Sequence, residues 1–162
     1  MKLSPQYPTA AINLADLYRQ LGRDDDGETT LRAALAVSPR DAGLHHALGL
    51  ALTRLKRPDD ALAEFHSASE LEPGDPRYPY VYAVALHSAG QPNEAIALLK
   101  QALQSHPANP DILTALISFN RLAGDTPSAL DYAEQLAAIT PEDRGLAALI
   151  QELRRVIKSP VQ

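Results

Sequence analysis

Slid along itself by 34 residues, the chain lands on its own pattern. Pro39 falls on Pro73, Pro107 and Pro141, Leu31 on Phe65 and Leu99, Ala34 on Ala68 and Ala102, and Ala61 on Ala95 and Ala129. A period of this length constrains the fold more than any composition can, because each copy is one small unit that must bury its apolar face against its neighbours. The stretch from Gly90 to Pro110 shows what half a unit contains. Pro92 stands where a helix begins and a missing N–H costs nothing. Ala95, Leu98, Leu99, Ala102 and Leu103 follow at spacings of three and four, which is one helical face. Pro107 stops the run.

The other half of the unit repeats too. Leu14, Leu48, Tyr82 and Leu116 share one phase, followed directly by Ala15, Gly49, Ala83 and Ile117. Tyr18, Leu52, Leu86 and Asn120 come next, and then a turn holding Gly22, Lys56, Gly90 and Gly124. Each unit therefore reads as helix, short turn, helix, and a longer turn closed by proline. This pattern resembles the tetratricopeptide repeat (TPR), whose unit is 34 residues long. The resemblance implies an all-α, right-handed α-solenoid of four TPR helix-turn-helix units plus a C-terminal capping helix. The expected units span residues 8–41, 42–75, 76–109 and 110–143. Small residues at 15, 49 and 83, and at 27, 61 and 95, let the two helices of a unit approach, while 31, 65 and 99 fill the gap against the next unit. The fourth unit departs from this, with Ile117, Asn120, Ala133 and Leu136 at exchanged sizes. Such swaps can conserve volume. Asn120 is expected at the core edge, bonded to backbone or water.

At the start, Leu3-Ser4-Pro5 matches Leu71-Glu72-Pro73, so residues 1–7 read as the remnant of a preceding repeat and the chain as a piece of a longer bacterial protein. After Pro141, the residues Leu146, Leu149, Ile150, Leu153, Val156 and Ile157 form one apolar stripe. Residues 144–157 are expected to cap the fourth unit, with 158–162 as a tail. The uncovered first helix leaves Ile12, Leu14 and Leu17 at an open end, which predicts a weak homodimer through that end.

The search for chemistry returns little. Absent cysteine excludes disulfides and Cys-ligated metals or haem within this chain. His45 and His46 are adjacent, so on a helix they diverge by about 100° and do not share an ion easily. No histidine pair has the spacing of a helical zinc site, and there is no Gly-rich phosphate loop and no nucleophile elbow. Asp24-Asp25-Asp26 opens a helix, where acids are expected to cap free N–H groups. No enzyme activity, cofactor or metal is predicted. A net charge of −5 argues against general nucleic-acid binding, and no apolar run is long enough to insert in a membrane.

Binding remains. The family resemblance places positions two, five, nine, twelve and thirteen of each unit on a concave groove. From these, the expected partner-binding set is Ile12, Asp16, Arg19, His46, Leu50, Arg54, Arg77, Tyr80, Val84, His87 and Arg121. Arg19, Arg54, His87 and Arg121 recur at about the repeat length as a basic row, beside an apolar strip of Ile12, Leu50, Tyr80 and Val84. A protein or peptide segment with acidic and apolar residues would suit both. Chaperone-binding members of the family grip a C-terminal carboxylate with Lys and Asn. The corresponding residues here are Ile12, Asp16, Ala47, Arg77 and Val81, so that clamp is not predicted. The runs RYPYVYAVALHSAG and ALISFNRLAGD also resemble the C-terminal repeat region of bacterial multihaem cytochrome-type proteins. That resemblance implies a structural or self-association module of an exported, periplasmic parent. Without it, a cytoplasmic scaffold is the default expectation.

Overall fold

Nine α-helices and no strand run through the described residues, 7–158, of the computed structural model. They are α1 (Tyr7–Gln20), α2 (Asp24–Val37), α3 (Ala42–Arg54), α4 (Pro58–Leu71), α5 (Arg77–Ser88), α6 (Pro92–Ser105), α7 (Pro110–Leu122), α8 (Thr126–Ile139) and α9 (Arg144–Lys158). By packing, the chain divides into Met1–Ala85 and Leu86–Gln162, the division falling inside α5. In the first unit Ala11, Ala15, Leu31, Ala34, Leu44, Leu48, Leu52, Ala61 and Phe65 form one buried cluster. In the second, Leu113, Ile117, Ala129, Ala133 and Leu136 pack with Leu146, Ile150 and Leu153 of α9. The expected remnant at residues 1–7, apart from Tyr7 in α1, lies outside the described residues, and so does the expected tail beyond Lys158.

The short turn inside each helix pair is the same object four times. The N–H groups of Arg23, Arg57, Gln91 and Asp125 donate to the carbonyls of Tyr18, Leu52, Leu86 and Asn120 at 2.8, 3.0, 3.0 and 2.9 Å. This bond spans a left-handed residue and satisfies a carbonyl that the ending helix leaves open. The left-handed residues are Gly22 (φ 70°), Gly90 (φ 80°), Gly124 (φ 78°) and Lys56 (φ 60°). Three copies use glycine, which adopts this conformation without steric cost, and one holds a lysine there under strain.

The longer turns repeat as well. Asp41, Asn109 and Asp143 cap α3, α7 and α9, each accepting from the backbone N–H three residues on at 2.9, 3.0 and 3.0 Å. Asp75, in the same phase, accepts from Arg77 N–H at 3.0 Å. These side-chain oxygens satisfy first-turn donors that have no helical partner. This acceptor recurs at the 34-residue period, as Asp41, Asp75, Asn109 and Asp143. It also shows that α9 begins as the first helix of a further unit would. The expectation for Asp24-Asp25-Asp26 is corrected: Arg23 is the cap residue of α2 and no side chain caps it. Asp24 instead accepts from Arg54 Nε at 2.6 Å and Asp26 from Arg23 Nε at 2.7 Å, while all three acids keep the favourable position beside the helix N-terminus.

Packing inside a unit depends on size. Gly49 on α3 faces Phe65 on α4 so closely that a Cβ there would stand 2.5 Å from Phe65 Cε1 and 2.7 Å from Cδ1. Phe65 thus fills the notch its own unit leaves at Gly49. Asn120 is more deeply buried than expected, at 2% exposure, and its amide donates to the Leu116 carbonyl at 2.7 Å. The stripe on α9 is shorter than expected. Leu146, Ile150 and Leu153 are buried and Leu149 partly so, but Val156 and Ile157 are exposed. Val156 shares its phase with Arg54 and Leu122, both of which are exposed.

Two stability results follow. Lys56→Gly relieves the left-handed strain at a small cost in chain entropy, and should raise unfolding free energy by about 1 kcal/mol. Denaturant titration reads this as a higher midpoint with unchanged slope. Gly49→Ala forces the Phe65 ring aside and should cost about 1–3 kcal/mol, with part recovered when Phe65 is also shortened to leucine. Thermal melting of the single and double variants measures both effects.

Candidate functional site

In the first unit, α1, α2, α3 and α5 surround an open cavity of ≈ 400 Å³. Its apolar surface comes from Ile12 and Ala15 on α1, Leu31 on α2, Ala47 and Leu50 on α3, and Tyr78 on α5. Helical spacing explains this: Ile12 and Ala15 lie three apart, as do Ala47 and Leu50, so each pair shows one face of its helix. Gly43 keeps the floor low between Ile12 Cδ1 and the Tyr78 hydroxyl.

Charged side chains form the rim, and each arginine already has a carboxylate. Arg19 Nε donates to Asp16 at 2.7 Å. Arg54 Nε donates to Asp24 at 2.6 Å. Arg77 Nη2 donates to Asp75 at 2.9 Å and to the Tyr78 hydroxyl at 3.2 Å, with its guanidinium 4.8 Å from the Tyr78 ring centroid. The hydrogen bonds from Arg19 and Gln20 hold the Asp16 carboxyl below its usual pKa, so it stays ionised. Three cations facing three anions leave the rim close to neutral.

His46 lines the same cavity. It is half-buried, 5.5 Å from the Tyr78 ring edge-on and 6.1 Å from the Phe65 ring. Burial lowers its pKa below the usual histidine range; the Arg77 charge pushes the same way and Asp75 opposes both. It is therefore neutral at pH 7, with one N–H to donate and one lone pair to accept. Its neighbour His45 points elsewhere, with Glu64 Oε2 2.6 Å from Nδ1 and the Pro39 carbonyl 3.1 Å from Nε2.

The structure thus gathers seven residues of the expected set around one cavity: Ile12, Asp16, Arg19, His46, Leu50, Arg54 and Arg77. Ile12, expected also at the open end of α1, lies in this wall instead. Tyr80 and Val84 do not line the cavity; Tyr78 takes the aromatic place. Tyr78 shares its phase with the buried Leu44 and Ile112, and a ring longer than those side chains reaches the cavity edge. Leu31 also lines the cavity, although its place on the second helix of a repeat predicts packing alone. In the second unit, His87 stacks on Phe119 with centroids 4.0 Å apart, and Arg121 is exposed. Among the described residues no group of His, Asp and Glu side chains is placed to hold a metal ion, and no helix is long and apolar enough to cross a membrane.

The tetratricopeptide repeat pattern matches residues 1–108 and, in a second form, residues 86–153. The chain belongs to the tetratricopeptide repeat family. Solved structures agree on the fold. PilF of Pseudomonas aeruginosa superimposes with a TM-score of 0.76 at 23% identity, over 91% of this chain and 68% of that one. The RS-1 form of MamA gives 0.78 at 14% identity, over 97% and 88%, and another MamA structure 0.75 at 18%, over 87% and 82%. No curated protein sequence matches the chain. The expected tie to multihaem cytochrome-type proteins finds no support in these matches. TPR repeats serve as protein-interaction scaffolds, and that is the class to which this chain belongs.

The lowered pKa of His46 has a consequence for stability. Below the ordinary histidine value of about 6.5 the unfolded chain takes up a proton that the folded cavity resists, so this residue makes stability fall as pH falls through that window. Asp16, held below the usual carboxylate range, and Arg19 and Arg77, held above the usual arginine range, keep their charge there. His46→Gln should lose part of the drop in denaturation midpoint between neutral and mildly acidic pH. Urea titrations of both proteins at the two pH values provide the comparison.

Proposed function

We propose that the chain is a non-catalytic scaffold whose first-unit cavity receives one aliphatic or aromatic side chain of a protein or peptide segment. One observation supports this above all: Ile12, Leu31, Leu50 and Tyr78 form an apolar floor beneath arginines that Asp16, Asp24 and Asp75 already neutralise. A new acidic partner would have to displace one of those carboxylates, and an exposed ion pair is worth only about 0.2–1 kcal/mol. Burying a large apolar side chain contributes more, roughly 1.5–3 kcal/mol. The arginine pairs then orient the segment, His46 and the Tyr78 hydroxyl offer hydrogen bonds to its backbone, and the apolar anchor supplies most of the affinity. Binding in the micromolar range, near −8 kcal/mol, is within reach of such a site.

Selection of random peptides displayed on phage tests this reading. Enriched peptides should share one large apolar residue and should bind with little dependence on salt. Leu50→Glu should remove their binding while the helical circular dichroism stays intact, because Leu50 is exposed. Enriched peptides that are uniformly acidic, or that bind the Leu50→Glu protein as well as the parent, would place recognition elsewhere.

A further inference from the structure

The two units treat their arginines differently. In the first, Asp16, Asp24 and Asp75 hold Arg19, Arg54 and Arg77. In the second, Arg121 on α7 and Arg155 on α9 meet no carboxylate within ion-pair distance among the described residues. The sequence explains α7. Arg121 shares its phase with Arg19, but Ser118 stands where α1 has Asp16, so no acid lies one turn before it. On α9, Glu152 takes that place without bonding Arg155. Arg144, Arg154, Arg155 and Lys158 outnumber it there, in a chain of net charge −5. Of these, Arg154 is held by Glu134.

The repeat register puts Arg121 and Arg155 on one side. Leu146, Ile150 and Leu153 of α9 are buried in the same phase as Ile112, Leu116 and Phe119 of α7, so both helices turn the same face outwards. Each arginine on that face is followed by an exposed aliphatic side chain, Leu122 at 74% exposure and Val156 at 54%. This exposure belongs to the repeat position and not to an end of the chain. Thr53 and Arg54 hold the same position on α3, which has α2 and α4 packed against it, and both are exposed.

A carboxylate that reaches Arg121 displaces only water, whereas at Arg19 it would have to displace Asp16. The planar guanidinium takes a carboxylate in two parallel hydrogen bonds, and an aliphatic neighbour that keeps water away strengthens them. We infer that the Arg121–Leu122 and Arg155–Val156 pairs of the second unit form a docking surface for an acidic protein segment whose carboxylates alternate with aliphatic residues. A purely acidic segment would leave Leu122 and Val156 uncovered. A purely apolar one would cover the guanidinium groups without pairing them. This surface does not rest on the first-unit cavity, and either can fail without the other. Recognition at the cavity is apolar; at the second unit it is sensitive to salt.

Fluorescence anisotropy with a labelled peptide of alternating glutamate and leucine tests the inference. It is measured on the Leu50→Glu chain, so that the first-unit cavity does not contribute. The peptide should bind at low salt and weaken as salt rises. Two exposed ion pairs are at stake, so Arg121→Gln with Arg155→Gln should lower affinity about tenfold and remove the salt dependence. Helical circular dichroism should stay as in the parent, because both side chains are exposed. Leu122→Ser with Val156→Ser should weaken binding and leave its salt dependence. Arg19→Gln with Arg54→Gln, at the paired arginines, should change nothing. Absence of binding at low salt, equal binding of a glutamine–leucine peptide, or full affinity in the Arg121, Arg155 variant would each overturn the inference. Loss of binding in the Arg19, Arg54 variant would move the site to the first unit. Co-sedimentation with phosphatidylglycerol vesicles that the Arg121, Arg155 variant loses would assign the surface to a membrane instead.

Discussion

Everything in this chain depends on a turn in which one residue adopts the left-handed conformation and one backbone hydrogen bond spans it. Placed at Gly22, Lys56, Gly90 and Gly124, it reverses the chain at the same point of each repeat. The reversal sets the register between the two helices of a unit, and the register brings small residues opposite large ones. Gly49 under Phe65 is the tightest case. The second bend is fixed by side chains rather than by backbone conformation, through Asp41, Asp75, Asn109 and Asp143. Two bends per repeat, each with its own hydrogen bonds, place the first helices of successive units in order. The cavity on α1, α3 and α5 is a consequence of that order and not a separate invention.

The electrostatics of the cavity change what it can recognise. Arginines in a groove suggest an acidic ligand, and Arg19, Arg54 and Arg77 do stand at the rim. Each is held by a carboxylate, two of them from positions on the margin of the cavity rather than in its wall. The pairs cost the protein little, since they are exposed, and they cancel the field that would draw an acidic segment in. What remains distinctive is the apolar floor and a neutral histidine above it. Leu50 and Ile12 count for more in the proposed binding than the basic row does.

The helices, their pairing and most of the cavity's residues were legible in the sequence because a 34-residue period repeats the same information four times. Lys56 shows the strength of that signal: its residue type argues against a left-handed turn, and its phase alone points to one. What escaped was information carried by single contacts. The pairing of Arg54 with Asp24 joins residues 30 apart, and nothing in either residue's surroundings in sequence marks it. Tyr78 was overlooked for Tyr80 because an aromatic at a buried phase reads as core, although its length carries the hydroxyl to the surface of the cavity. Val156 and Ile157 were counted into the stripe of α9 by spacing. Spacing describes a face, and only the neighbour on that face decides how far burial extends. On α9 burial ends at Leu153.

In the proposed function, apolar contact in the first-unit cavity, and not charge, is the basis of recognition. Methyl-resolved NMR with the amide-blocked amino acid N-acetyl-leucine methylamide as a neutral probe tests it without any knowledge of the partner. Progressive shifts are expected at the methyl groups of Ile12, Leu31 and Leu50, unchanged when salt is raised, while N-acetyl-aspartate methylamide should leave them unmoved. Shifts produced by the aspartate probe and abolished by salt, or leucine-probe shifts confined to methyl groups outside the cavity, would contradict it.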